Sequence, residues 1–302
     1  MIARILVIRH GALGDMVLSF GPFAAIREHH PDADISLLTT APFAKLMQAS
    51  PWFDHVLVDD KPSWWQLKAL HRLSGQLRGY DFVYDLQTSG RSKTYFSLAG
   101  RPPWSGISAG CSHPQSDPKR ETMHTIERQR DQLEIAGVQE FPRPDLGWLT
   151  DTAVPALPER FALLVPGAAP SRPAKRWPVA HFAELALELI RRGLTPVVIG
   201  AASEADLVAV IRAACPQAVD LVGRTSLPQV FAVAARAALA IGNDTGPMHI
   251  AASVGCPCVV LFSGDSEPSM TAPRGPAGEW PVVLREKLLA DLPVARVVEA
   301  LP

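Results

Sequence analysis

Three loops of this chain carry residue types suited to holding a phosphorylated anion and moving a proton. The first is GNDTGPMHIAASVG over 242–255, which follows the apolar run 237–241 and leads into an apolar, helix-like stretch from Pro247. That order places Asp244, Thr245 and Gly246 where a strand ends and a helix begins. Free backbone N–H groups and the helix dipole favour an anion at such a point. Gly246 lets the backbone approach a ligand closely, and Pro247 suits a first helical turn. A hydroxyl, a carboxylate and His249 then surround a phosphate or diphosphate site. An ordinary helix cap would use the same Asp-Thr pair.

The second loop, His10-Gly-Ala-Leu-Gly-Asp15, joins the first expected strand to the first expected helix. Gly11 and Gly14 permit a tight turn with backbone close to a ligand. Asp15 either caps the helix or presents a carboxylate able to take a proton from an acceptor hydroxyl. The spacing is not G-x-G-x-x-G, so a dinucleotide site is not indicated. The third loop runs over 165–178, where Gly167 and Ser171 offer donors to phosphate and Lys175 adds a mobile positive charge. Glu204 follows Gly200 and either caps a helix or accepts from ribose hydroxyls.

These loops need alternating strands and helices to position them. Strands are expected over 4–8, 34–39, 55–58, 82–86 and 104–107, with helices over 15–28, 64–77 and 125–136. The second half repeats the alternation: strands over 161–165, 196–199, 219–221, 239–241 and 258–262, helices over 179–192 and 204–214. Such alternation makes parallel sheets covered on both faces. Prolines crowd the stretch 139–158, at 142, 144, 155 and 158, and Pro favours extended linker over helix. Two domains, 1–150 and 151–302, are therefore expected, with a ligand between them at the carboxyl ends of the strands.

A hydrophobic content of 47% against 20% charged residues describes a globular protein with ample core. No apolar run approaches the ~20 residues that span a bilayer. The opening Ile2–Ile8 stretch reads as a strand and not as a signal peptide, so a cytoplasmic protein is expected. Cys111, Cys215, Cys256 and Cys258 make no metal pattern, and no metal or cofactor is expected. The net charge of −1 is unevenly spread, with 11 Lys and Arg against 5 Asp and Glu from Lys61 to Arg130. A basic first half suggests an anionic partner, unless it is a solvated face with chance clustering; no nucleic-acid partner is expected.

Taken together, GALGD near the start, KRWP at 175–178, G-x-x-x-E at 200–204 and GNDTGPMH resemble glycosyltransferase family 9, the ADP-heptose:lipopolysaccharide heptosyltransferases. The similarity runs from about residue 5 to 262. It implies a GT-B fold, α/β, with two Rossmann-like doubly wound domains facing across a cleft. It implies an inverting, metal-independent transferase with ADP-heptose on the second domain and an anionic glycolipid of the lipopolysaccharide inner core on the first. By matching position, Asp15 is the general base and Lys175 the diphosphate lysine. Gly14, Ser171, Thr245, Gly246 and His249 lie near the donor, Glu204 binds ribose, and Asp244 binds heptose hydroxyls. Lys61, Lys68, Arg91, Lys93, Arg101 and Arg120 are acceptor candidates by charge. Trp64 and Trp65 are suited to stacking on sugars or touching lipid, in a protein with peripheral contact to the inner membrane. The segment 262–275 departs from the family text. The family often returns a C-terminal helix to the first domain, and 294–301 supplies only a brief one. Two other readings are a GT-B-like epimerase or transferase using another nucleotide sugar, and a catalytically silent nucleotide-sugar-binding module.

Overall fold

The computed structural model describes residues 2–169 and 171–302, so Met1 and Pro170 lie outside the described residues. The chain forms two compact units, Met1–Pro144 and Asp145–Pro302. The division falls slightly before the expected one because the short helix Gly147–Thr150 packs on the helix Leu227–Ala234 of the second unit.

Each unit is built on a six-stranded parallel sheet. The first holds β1 (Arg4–Ile8), β2 (Asp34–Thr39), β3 (His55–Val58), β4 (Phe82–Asp85), β5 (Trp104–Gly106) and β6 (His113–Pro114) in the order β3-β2-β1-β4-β5-β6. The second holds β7 (Phe161–Val165), β8 (Thr195–Val198), β9 (Val219–Asp220), β10 (Leu239–Asn243), β11 (Cys258–Phe262) and β12 (Val282–Arg285) in the order β9-β8-β7-β10-β11-β12. The two orders are the same, the doubly wound order of a Rossmann sheet. β7 reads FALLV and β11 CVVLF, buried at every position, as strands covered on both faces must be. In the first unit Leu6, Ile8, Val83 and Trp104 pack under Tyr95 and Phe96; in the second Leu164 and Ile241 pack under Trp177, Phe182 and Leu185.

The order reverses between β1 and β4, and again between β7 and β10. Crevices outside the carboxyl ends of strands open at such points. Each of the three chemistry-bearing loops leaves one of these strands at its carboxyl end: 9–15 leaves β1, 166–178 leaves β7, and 244–246 leaves β10.

Several expected elements differ in detail. The single helix over 15–28 is two helices, Leu13–Leu18 and Phe20–His29. Pro22 has no N–H for the carbonyl of Leu18, and the Ser19 hydroxyl donates back to the Asp15 carbonyl at 2.8 Å. The helix expected from 64 begins at Leu67, because the Ser63 N–H donates to Gln66 Oε1 at 2.8 Å and holds Trp64 and Trp65 in a turn. The helices Ala41–Met47 and Gly90–Leu98 and the strand β12 were not legible in the sequence. The brief C-terminal helix Val294–Glu299 packs on the helix Val179–Arg191 of its own unit, with Val297 fully buried and the Arg192 Nη2 donating to Val298 O at 3.2 Å. Its apolar side is matched to that neighbour, so it completes the second core.

Candidate functional site

In the second unit the loop after β7 and the turn after β10 are joined by one side chain. Asn243, the last residue of β10, is fully buried. Its Oδ1 accepts from the Trp177 N–H at 3.0 Å, and its Nδ2 donates to the carbonyls of Pro166 at 2.8 Å and Gly167 at 3.3 Å. Across that junction Lys175 Nζ meets Asp244 Oδ2 at 2.5 Å, with the side chains 13% and 6% exposed. An ion pair this enclosed is held by geometry and not by solvent. Thr245 is the N-cap of the helix Gly246–Ser253, its hydroxyl donating to the Asn243 carbonyl at 3.2 Å. His249 is buried on the same helix. The Gly246 backbone and that helix start therefore stand beside the Lys175–Asp244 pair, as an anion site at a helix N-terminus requires.

Glu204 completes this edge from the end of β8. Its Oε2 accepts from the Ala201 N–H at 2.8 Å, so it does cap the turn. Its other oxygen lies over Gly167, where a Cβ would stand 1.8 Å from Oε1. Gly167 is required there because any side chain would displace the carboxylate. An acid at the second strand of a doubly wound sheet is where ribose hydroxyls are read. Ser171 is exposed in the turn before Lys175.

Loss of Asn243 should separate these loops. Asn243→Ala leaves the Trp177 N–H and the Pro166 carbonyl buried without partners, at about 1–3 kcal/mol each. The melting temperature is expected to fall by roughly 5–10 °C, with ADP affinity reduced as well. Unchanged melting and ADP binding would show that the junction does not depend on this side chain.

In the first unit Asp15 is both a cap and one end of an ion pair. Oδ2 accepts from the Ala12 N–H at 3.0 Å, and Oδ1 lies 3.2 Å from Nη2 of the buried Arg9. The Asp15 side chain remains 42% exposed. Arg9 is fixed by donating Nη1 to Leu86 O at 2.8 Å and Nη2 to the Asp15 carbonyl at 3.1 Å. Gly11 has φ +97°, and a Cβ there would stand 2.2 Å from Phe43, so the turn that presents Asp15 needs glycine. Gly14 sits one residue earlier than Asp15 in the first helical turn.

Positive charge gathers around this carboxylate. Burial pushes the Arg128 guanidinium below its usual value, the nearby Arg120 adds to that, and Asp15 and Glu121 act against it. Arg9 is lowered by burial in the same way, with Asp15 opposing. Arg120 is buried, donating Nε to Gln115 Oε1 at 3.2 Å. Beneath the loop, His10 Nε2 lies 3.1 Å from the buried Asp59, which also accepts from Tyr95 Oη at 2.5 Å. Burial raises the neighbouring Asp85 to about 6.

The remaining basic candidates are dispersed. Lys61, Lys68 and Lys93 are exposed near the carboxyl edge of the first sheet. Arg91 donates Nη2 to Pro62 O at 2.6 Å and lies over the Trp64 ring at 5.1 Å, which fixes the turn after β3. Arg101 follows the helix Gly90–Leu98 and so lies at the opposite, amino edge. Arg9, Arg128 and Asn243 were not singled out in the sequence. Asn243 stood inside the GNDTGPMH string, and Arg128 inside the basic half. Only contact assigns them work. Among the described residues no cluster of His, Cys, Asp or Glu could hold a metal ion.

Comparison with known proteins bears on the family and the fold. The family described as "Glycosyltransferase family 9 (heptosyltransferase)" matches residues 70–280. The chain is similar to lipooligosaccharide heptosyltransferase 2 of Haemophilus influenzae, 38% identical over 106 residues. That match covers 33% of this chain and 30% of the relative. It is also similar to lipooligosaccharide heptosyltransferase 2 of Haemophilus ducreyi, 25% identical over 89% of this chain and 86% of the relative. The structure of E. coli ADP-heptose lps heptosyltransferase II aligns with a TM-score of 0.74 at 26% identity, covering 98% of this chain and 97% of that one. The two Rossmann-like units are thus those of a GT-B protein, and with most of its length matched to the family, this chain belongs to glycosyltransferase family 9.

Proposed function

We propose that this protein transfers a heptose, or a closely related sugar, from an ADP-sugar to an anionic glycolipid of the lipopolysaccharide inner core. It works at the cytoplasmic face of the inner membrane, where such an acceptor is built. The observation that carries the reading is the enclosed Lys175–Asp244 pair beside a helix N-terminus at the switch point of the second sheet. The likeness to an E. coli ADP-heptose lps heptosyltransferase over 98% of the chain supports the choice of donor.

In this reaction an acceptor hydroxyl oxygen bonds to the anomeric carbon as the bond from that carbon to the diphosphate breaks. The anomeric centre inverts, ADP leaves, and Asp15 takes the hydroxyl proton. Lys175 and the N–H groups at Gly246 meet the negative charge that builds on the departing diphosphate. Ser171 and Thr245 donate to phosphate, and His249 and Gly14 line the donor. Glu204 accepts from ribose hydroxyls and Asp244 from those of the heptose. Arg128, near enough to Asp15 to feel its charge, and its neighbour Arg120 receive the acid groups of the acceptor. Membership of a transferase family favours this over an epimerase, and the anchored carboxylate at Asp15 speaks against a silent binding module.

Calorimetry with ADP, UDP and GDP tests the donor. ADP is expected to bind most tightly, and at ~100 times its dissociation constant it should stabilise the fold by ~2.7 kcal/mol. Tighter binding of UDP would overturn the ADP-sugar assignment.

A further inference from the structure

The turn after β3 has features that the transfer step proposed above leaves without a role. Trp65 is 80% exposed, Leu67 74% and Trp64 47%. Single exposed apolar side chains are ordinary, but three within four positions are not. No other stretch of the described residues gathers three of comparable size. The helix Leu67–Leu77 that follows buries Leu73 and Leu77 in the core and turns Lys68, His71 and Arg72 outward. Lys61 stands exposed on the other side of the turn. Between Lys61 and Tyr80 the sequence holds no Asp or Glu, and the exposed Asp60 stands just before it.

This tip is rigidly held. The Lys61 N–H donates to Asp59 Oδ1 at 2.7 Å. Arg91 stacks over Trp64 at 5.1 Å, donates to Pro62 O at 2.6 Å and donates Nε to Tyr95 Oη at 2.6 Å. Tyr95 in turn donates to Asp59, which faces His10 at the root of the Asp15 loop. Because all strands of the sheet are parallel, the turn after β3 and the loop after β1 lie at the same sheet edge. The aromatic tip and the candidate base therefore share one rim, and side-chain contacts run from the tip through Arg91, Tyr95 and Asp59 as far as His10 in the Asp15 loop.

We propose that Trp64, Trp65 and Leu67, flanked by Lys61, Lys68 and Arg72, form a docking surface for an anionic bilayer. Tryptophan side chains settle at the level of lipid headgroups, and cationic side chains beside them are drawn to anionic lipid. The apolar face of the helix is committed to the core, so it is the tip that enters the interface and the basic face that lies along it. A fixed tip loses little conformational freedom on docking. The arrangement brings the Asp15 rim to the membrane, a geometry that rests on the reading above that the acceptor is a glycolipid.

Sedimentation of the full chain with vesicles of phosphatidylethanolamine and phosphatidylglycerol tests the surface, with phosphatidylcholine vesicles as the neutral control. The protein is expected to partition onto the anionic vesicles, and less so as salt rises. The double variant Trp65→Ser, Leu67→Ser should weaken partitioning about tenfold or more. Lys68→Glu with Arg72→Glu should weaken it at least as much, since each basic side chain near anionic lipid contributes roughly fivefold. The Trp65→Ser, Leu67→Ser variant should keep its ADP affinity, its melting temperature and its transfer to a delipidated, water-soluble acceptor. Failure of the unaltered protein to bind anionic vesicles at low salt would overturn the proposal. So would unaltered partitioning of the double variant. Equal loss of transfer to the soluble acceptor would place the tip on sugar instead of lipid. The vesicle measurement needs no turnover, so a chain that docks but transfers nothing would defeat the proposed reaction and leave the docking surface standing.

Discussion

Replacing Asp15 with Asn is expected to lower turnover by ~10²–10⁴-fold, the span of a positioned general base. ADP affinity should be nearly unchanged, because the proposed donor contacts other than Gly14 lie in the second unit. Asn keeps an oxygen for the Ala12 N–H, so the first helical turn retains its cap. What it loses is the capacity to take a proton and the charge opposite Arg9. That guanidinium is buried, and its remaining partners are the carbonyls of Leu86 and of residue 15 itself. A stability loss of about 1–3 kcal/mol should accompany the change, from a buried cation with one partner fewer. Turnover is therefore measured well below the melting transition of the variant. ADP affinity separates the two effects: it should persist if Asp15 is the base, whereas a general loss of packing would lower it together with turnover. Near-normal turnover in Asp15→Asn would remove Asp15 from the mechanism.

Lys175→Ala is expected to depress turnover by roughly 10²–10³-fold, the scale of one lost electrostatic contact to a charge that develops in the transition state. The loss should fall mainly on kcat, since the negative charge on the diphosphate oxygen grows as the bond to the sugar breaks. The structure adds a reason for the lysine to be well placed before any ligand arrives. Asp244 holds its ammonium at 2.5 Å, and the Asn243 junction fixes both loops that carry the pair. Lys175 thus needs no large rearrangement to meet a phosphate. Removal of the lysine leaves Asp244 enclosed without its partner, and a lower melting temperature should follow. A Lys175→Ala protein with normal kcat would show that the departing charge is met elsewhere.

Much of the candidate site was legible because it is written in short loops. The glycine positions, the Asp-Thr-Gly turn and the Lys-Arg-Trp-Pro segment each depend on local backbone geometry, and local geometry is set by neighbours in sequence. The strands β1, β2, β3, β7 and β11 fall at their expected bounds. Buried parallel strands are unbroken apolar runs that turn signals delimit. The helices Ala41–Met47 and Gly90–Leu98 escaped notice because they are short and carry little amphipathic contrast. In the latter, GRSKTYFSL, polar residues outnumber apolar ones, and packing against the sheet stabilises it.

The sequence by itself determined two α/β units, the strand-to-helix loops that hold the candidate site residues, and the family resemblance. The tertiary structure alone decided which loops meet. The two halves share no visible sequence repeat, yet their sheets have one strand order, because that order depends on crossover handedness and pairing and not on residue identity. Lys175 and Asp244 are 69 positions apart, and Arg9 reaches Leu86 across 77. Nothing in a helical or strand period of 3.6 or 2 records such a contact. The same holds for Trp64 and Trp65: as letters they open an amphipathic helix, and only the Ser63–Gln66 turn and the Arg91 stack leave them outside the core. Side-chain pairing across a sheet edge is a non-local property, fixed when separate strands come into register, and the candidate sites of both units are made of such pairs.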